Sequence, residues 1–303
     1  MTLIASVNGP ETIWLLADRR ISWPNRSPRD DACKVLLLRR IDAAAILGYA
    51  GLGVTAQGSE PSAWMEAVLR QRDVPLHESL SILADAMQRE LPRHVRSLAS
   101  NARRHSVLVP AFYGGETASE ARLYTIDLVY GSKNGNPRFV VVRHDMERTG
   151  APTPVTMTGS GGRTLFSLMK ERQRKSTLRH LVRACDERRI KPHSVADYLA
   201  RLNSEVHAID SSVGPRCLVV WRNRLGGIRR GGGWLYYNGT SREYASTFES
   251  PQPPLVSTGM GAYYRAMIRD IARTSGTPMD SSLEERINVD MGLPAVLPEE
   301  KLR

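Results

Sequence analysis

The sequence predicts an α+β domain of four layers, αββα, in which two antiparallel sheets pack face to face and helices cover both outer faces. Three observations predict it. Short apolar runs come in pairs joined by turn residues, and blocks of helical periodicity separate the strand runs. The strands also read as continuous apolar stretches rather than alternating ones, the pattern of a sheet buried on both faces.

Residues 2–8 (Thr-Leu-Ile-Ala-Ser-Val-Asn) and 12–18 (Thr-Ile-Trp-Leu-Leu-Ala-Asp) flank Asn8-Gly9-Pro10, a strong turn, and form a hairpin. A second hairpin joins 34–38 to 43–49 through the polar turn around Arg40, Ile41 and Asp42. A helix begins with Ala63, Trp64, Ala67 and Val68. A clearer one carries Leu76, Leu80, Leu83, Met87, Leu91, Val95 and Leu98 at spacings of three or four. Strands are expected at 106–113, 121–129, 138–143 and 154–158, with a Gly/Asn-rich loop at 131–136. Helices over 163–188 and 194–208 and strands near 216–222 and 233–237 follow. From "GGIRRGGG" (226–233) onward the composition turns to Gly, Pro and Ser, with one helix near 261–274. The chain is therefore divided into a domain over 2–225 and an extension over 226–303 of no assigned role.

Composition narrows the function classes. The 303 residues hold three cysteines, Cys33, Cys185 and Cys217, without CxxC spacing, so neither a disulfide framework nor a zinc site is indicated. The net charge of +11 is carried mostly by arginines scattered through helix faces and turns, and a nucleic-acid partner is not expected. No apolar run approaches the roughly 18 residues that span a bilayer, and no signal-peptide pattern opens the chain. The expectation is a cytoplasmic protein without membrane contact. The seven histidines show no HExxH, and "GSGGRT" (159–164) lacks the P-loop form, so no metal and no cofactor are expected.

The chemistry lies in the two hairpins. Facing residues in an antiparallel pair have numbers of constant sum. A turn centred near residue 10 sets Thr2 opposite Asp18, and one centred near 41 sets Lys34 opposite Gly48. All four then sit at the open ends. A threonine hydroxyl needs a neighbouring base, which an N-terminal threonine supplies through its own α-amine once Met1 is trimmed. Lys34, held by Asp18, would add positive potential and a proton relay. The Gly48 N–H would hold the oxyanion, a contribution of roughly 3 kcal/mol.

Thr2, with Asp18 sixteen residues on, Lys34 thirty-two on and Gly48 forty-six on, resembles the site of the proteasome β-subunit family and its bacterial relatives, the threonine peptidases of the N-terminal-nucleophile hydrolase class. The segments "ADRRIS", "CKVLLL" and "LGYAG" are similar to the family's, over roughly residues 2–225. The resemblance implies Ser160, in "TGSGG", beside the terminal amine. It also implies Asp210, in "AIDSSVG", as the carboxylate near that amine, with Gly214 aligned and Val213 where the family has serine, leaving Ser211 or Ser212 to substitute. It further implies a specificity pocket of Ile21, Ala32, Val35, Ile46, Ala50 and Val54, favouring apolar residues before the cut. Peptide or unfolded-protein substrates and a homo-oligomeric ring go with it; an ATPase or activator partner is left open. Two other readings stand beside this one: a catalytically inactive ring-forming or binding protein, and a dinucleotide-binding oxidoreductase. The latter rests on "GLGVTA" (51–56) with Asp73 and requires a parallel βαβ unit.

Overall fold

The computed structural model describes residues 2–23, 26–40, 42–51, 59–70, 72, 74–91, 105–114, 120–129, 137–144, 155–224, 231–243 and 253–257. The first hairpin is β1 (Ile4–Asn8) with β2 (Thr12–Asp18), and the second is β5 (Val35–Arg39) with β6 (Ala43–Ala50). Between them stands a small pair, β3 (Ile21–Trp23) with β4 (Arg26–Arg29). The remaining strands are β7 (Ser106–Tyr113), β8 (Glu120–Val129), β9 (Arg138–His144), β10 (Val155–Thr158), β11 (Arg216–Asn223), β12 (Gly232–Asn238), β13 (Ser241–Glu243) and β14 (Leu255–Ser257). One six-stranded sheet has the order β10-β1-β2-β11-β12-β13, and the other β14-β5-β6-β7-β8-β9. All ladders are antiparallel except β14 against β5, so the expectation of purely antiparallel sheets is corrected at that edge. Strands past residue 225 thus enter both sheets. Among the described residues no parallel βαβ unit stands next to Gly51, as a dinucleotide-binding reading would need: β6 lies antiparallel between β5 and β7.

Five helices are present among the described residues: α1 (Pro61–Leu69), α2 (Leu76–Glu90), α3 (Gly161–Leu168), α4 (Arg172–Asp186) and α5 (Pro192–Ile209). The single helix expected over 163–188 is divided, with Glu171 extended at φ −63° and ψ 123°. Between Met169 and Leu178 no buried residue ties the chain to the core, so packing imposes no continuous helix there. Residues 92–100, the loop at 131–136 and the helix near 261–274 lie outside the described residues.

Strand alternation explains the continuous apolar runs. From β1 and β2, Ala5, Val7, Trp14 and Leu16 enter a cluster with Leu165, Leu178, Leu199 and Val206 of α3, α4 and α5. Ile4, Ile13 and Leu15 enter a second cluster with Val35, Leu37 and Ile46 of the other sheet. Leu36, Leu38 and Leu47, from the opposite face of that sheet, enter a third with Met65, Leu69, Leu80 and Leu83 of α1 and α2. Each large side chain so buried contributes roughly 1.5–3 kcal/mol.

Both hairpin registers differ by one residue from the sequence expectation. In the first, Ile4 faces Ala17, because Gly9 N–H bonds Thr12 O at 2.9 Å and the last pair is Asn8 with Ile13. Asp18 therefore bonds Leu3, its N–H 3.0 Å from Leu3 O. In the second, Arg40 and Ala43 close the turn, setting Gly48 opposite Val35 and Lys34 opposite Tyr49.

Candidate active site

The open ends of the two hairpins meet, and three polar side chains buried there touch one another. Thr2 is 3% exposed and Asp18 fully buried, while the Lys34 side chain is 3% exposed. Thr2 Oγ1 donates to Asp18 Oδ1 at 3.0 Å and accepts from Lys34 Nζ. Lys34 Nζ also donates to Asp18 Oδ1 at 3.0 Å. The Asp18 carboxylate is held from the backbone by Leu3 N–H at 2.7 Å, Arg20 N–H at 3.1 Å and Gly214 N–H at 3.3 Å. These donors fix the carboxylate in place and satisfy its buried oxygens. Burial pushes the Lys34 ammonium below its ordinary value, against the opposing pull of Asp18. A lysine so placed can exchange a proton with the hydroxyl it touches.

The backbone of Thr2 is fixed from the other side by the turn between β10 and α3. Thr2 N–H donates to Ser160 Oγ at 3.1 Å, and Gly161 N–H donates to Thr2 O at 3.2 Å. Ser160 Oγ lies 3.5 Å from Ser212 Oγ, which donates to Asp210 Oδ1 at 2.5 Å. Asp210 therefore faces the Thr2 nitrogen across two hydroxyls rather than directly. Of the two serines that the sequence left open, Ser212 supplies the hydroxyl and Ser211 offers its carbonyl to Arg20. Val213 is fully buried in the apolar cluster with Leu3 and Val206.

Arg20 is a member of the site that the sequence did not single out. Its guanidinium makes two 2.8 Å bonds to Asp30, and its backbone N–H holds Asp18. It so ties β2's end to the 210–214 turn. The Arg20–Asp30 pair closes the base of the β3–β4 pair, and no spacing rule announces it.

Gly48 requires a correction. Tyr49 N–H bonds Lys34 O at 3.0 Å, so it points to β5; the preceding amide, Gly48's, points the other way, to its ladder partner Leu108 of β7. An amide held in a ladder is not available to an oxyanion. The glycine is there for packing: a Cβ would lie 2.7 Å from Ile4 Cγ2 and 2.9 Å from Leu15 Cδ1. Of the expected pocket residues, Val35, Ile46 and Ala50 sit in the cluster between the sheets, at most 1% exposed, and so pack the core rather than line an open pocket. Ile21 and Ala32 are equally buried, and Val54 lies outside the described residues.

Gly159 has φ +87°, and a Cβ there would fall 2.1 Å from Thr2 O. Gly159→Ala is expected to displace Thr2, with a loss of stability of about 1–3 kcal/mol. A shift of about 1 Å at a reacting group can lower turnover roughly 100-fold. Thermal denaturation and steady-state kinetics on the same sample check both effects.

A hydroxyl gripped between a buried amine and a fixed carboxylate thus stands at the head of the first strand, the set of groups from which a nucleophile can be built. The chain matches no known family model and no curated protein. Among solved structures it is similar to Anbu from Hyphomicrobium sp. strain MC1, with 14% identity, 92% of this chain and 98% of that chain covered and a TM-score of 0.47. It is also similar to Anbu (ancestral beta-subunit) from Yersinia bercovieri, with 13% identity, 98% and 100% covered and a TM-score of 0.47. The helical assembly of the Anbu complex from Pseudomonas aeruginosa shows 13% identity, 92% and 98% coverage and a TM-score of 0.48. At these values the similarity assigns no function. It does correct the resemblance read from the sequence, because these are Anbu proteins, a family distinct from the proteasome β-subunits. No described helix is long and apolar enough to cross a membrane.

Proposed function

We propose that the chain is a threonine-type hydrolase of the N-terminal-nucleophile class, with the αββα layering of that class, and that it cleaves peptide bonds through Thr2. The observation that carries this reading is the contact of Thr2 Oγ1 with both Lys34 Nζ and Asp18 Oδ1 in a buried setting. With Met1 removed, the hydroxyl gives its proton to the α-amine or to neutral Lys34 and attacks the scissile carbonyl. The tetrahedral intermediate collapses to an acyl ester, and the leaving amine takes that proton. Water then attacks the ester, releasing the acid and restoring the hydroxyl. Ser160, Ser212 and Asp210 orient the amine. The oxyanion donor of this reading is the Gly51 amide, past the end of β6, because alternation turns it toward the β5 side, where the facing position falls before that strand begins.

We read the chain also as a homo-oligomer, since an exposed peptidase of this kind would cut indiscriminately. Intact mass and an N-terminal-threonine-directed covalent probe test the activity, and light scattering on the same sample tests assembly. The expected species lacks Met1 and gains one probe mass. A chain that keeps Met1 and takes no label would favour the silent, binding reading instead.

A further inference from the structure

Away from Thr2, a cavity of about 180 Å³ opens between β10 and helices α3 and α4. Met157, Met169 and Leu178 line it, Phe166 stands at its mouth 57% exposed, and Lys175 and Arg179 form part of its rim. Lys170 Nζ lies 5.3 Å from the centre of the Phe166 ring. The cavity shares no residue with the site described above.

The rim continues as a charged line. Arg172, Lys175, Arg179 and Arg183 recur at spacings of three, four and four on α4 and are all exposed, which places them on one helix face. None of the four pairs with a described carboxylate, whereas Arg174, off this face, bridges to Glu205 at 2.9 Å and also pairs with Glu171. The first turn of α4 holds no acid. There Arg172 and Lys175 oppose the helix dipole, whereas Arg183 in the last turn favours it, so the dipole accounts for the far end of the line alone. An exposed cationic line of this kind is complementary in charge to an anionic partner.

We propose that this face docks an extended acidic peptide that sets one large apolar side chain in the cavity and its carboxylates along the α4 line. The cavity has room for a single large side chain. Nucleic acid would use the cations but not an apolar socket, and Phe166 alone makes no stacking platform. A lipid surface would need an outward apolar helix face, and that of α4, with Leu178, Val182 and Cys185, is turned into the core. A second copy would have to lay one of its own acidic segments on this face, and self-association lost in Lys175→Glu with Arg179→Glu would overturn the proposal.

The test uses the full-length chain carrying Thr2→Ala, so that no probe is cut, and fluorescence anisotropy at physiological ionic strength. The probe is a labelled peptide with one phenylalanine flanked on both sides by aspartates. Saturable binding is expected. Lys175→Glu with Arg179→Glu should weaken it more than tenfold, and Phe166→Ala several-fold, with unchanged circular dichroism. Arg189→Glu, off the line, should leave it unaltered. The same peptide with alanine for phenylalanine should bind at least fivefold more weakly. Equal binding of the alanine peptide, indifference to the paired charge reversal, or tighter binding of duplex DNA or phosphatidylserine vesicles would each overturn the proposal. Because the Thr2 site plays no part, a failure here leaves the peptidase reading standing, and the reverse holds.

Discussion

Thr2→Ala is expected to reduce peptide hydrolysis by at least about 10³-fold and to abolish labelling by a threonine-directed probe, while leaving the fold intact. The nucleophilic oxygen is removed, and no other hydroxyl in the cluster touches both Lys34 and Asp18. The structural loss is small: Asp18 keeps Leu3, Arg20 and Gly214 N–H and Lys34 as donors, so stability should fall by only about 1 kcal/mol. Kinetics and a thermal melt on one preparation separate these effects. A variant that still hydrolyses peptide at the parental rate would remove Thr2 from the mechanism.

Lys34→Met carries the second large effect, because it strips out the amine that touches Thr2 Oγ1 and leaves a buried carboxylate without its counter-ion. Activity is expected to fall by at least about 10³-fold, and stability by about 3–5 kcal/mol, the usual range for breaking a buried pair. Remaining backbone donors to Asp18 bring the stability loss toward the lower end. The pH profile expected of the parent chain carries the sign. Burial lowers the Lys34 value, so the neutral amine forms below the ordinary 10.5, and kcat/KM should rise with pH along a limb centred below that value. In the same window the unfolded chain binds more protons at this lysine than the folded one, so its contribution to stability also rises with pH. Lys34→Arg, cationic throughout, should lose the limb together with the activity. A profile unchanged in Lys34→Arg would sink the base assignment.

Much of this was legible in the residues themselves. The apolar runs on either side of Asn8-Gly9-Pro10 and Arg40–Asp42 announced both hairpins, and the spacing of Thr2, Asp18 and Lys34 announced residues that come together. The register was not legible, because one residue more or less in a turn looks alike in sequence and moves every facing pair. Gly48 suffered most from this: the shift turns its amide to β7 and leaves its missing side chain explained by Ile4 and Leu15. Whether Ser211 or Ser212 faces Ser160 depended on the path of the 210–214 turn, which Arg20 and Asp18 fix from far along the chain. The break between α3 and α4 was hidden for another reason: the polar residues from Arg172 to Thr177 suit a helix equally well with or without an interruption before them.

The grip on Thr2 and Asp18 has a temporal side. Its bonds join residues 16, 158 and 196 positions apart, so no fragment emerging early from the ribosome holds a competent nucleophile. The cluster is complete only when the last of these segments is seated, so on the proposed reading a chain halted short of its native state would be harmless to its neighbours.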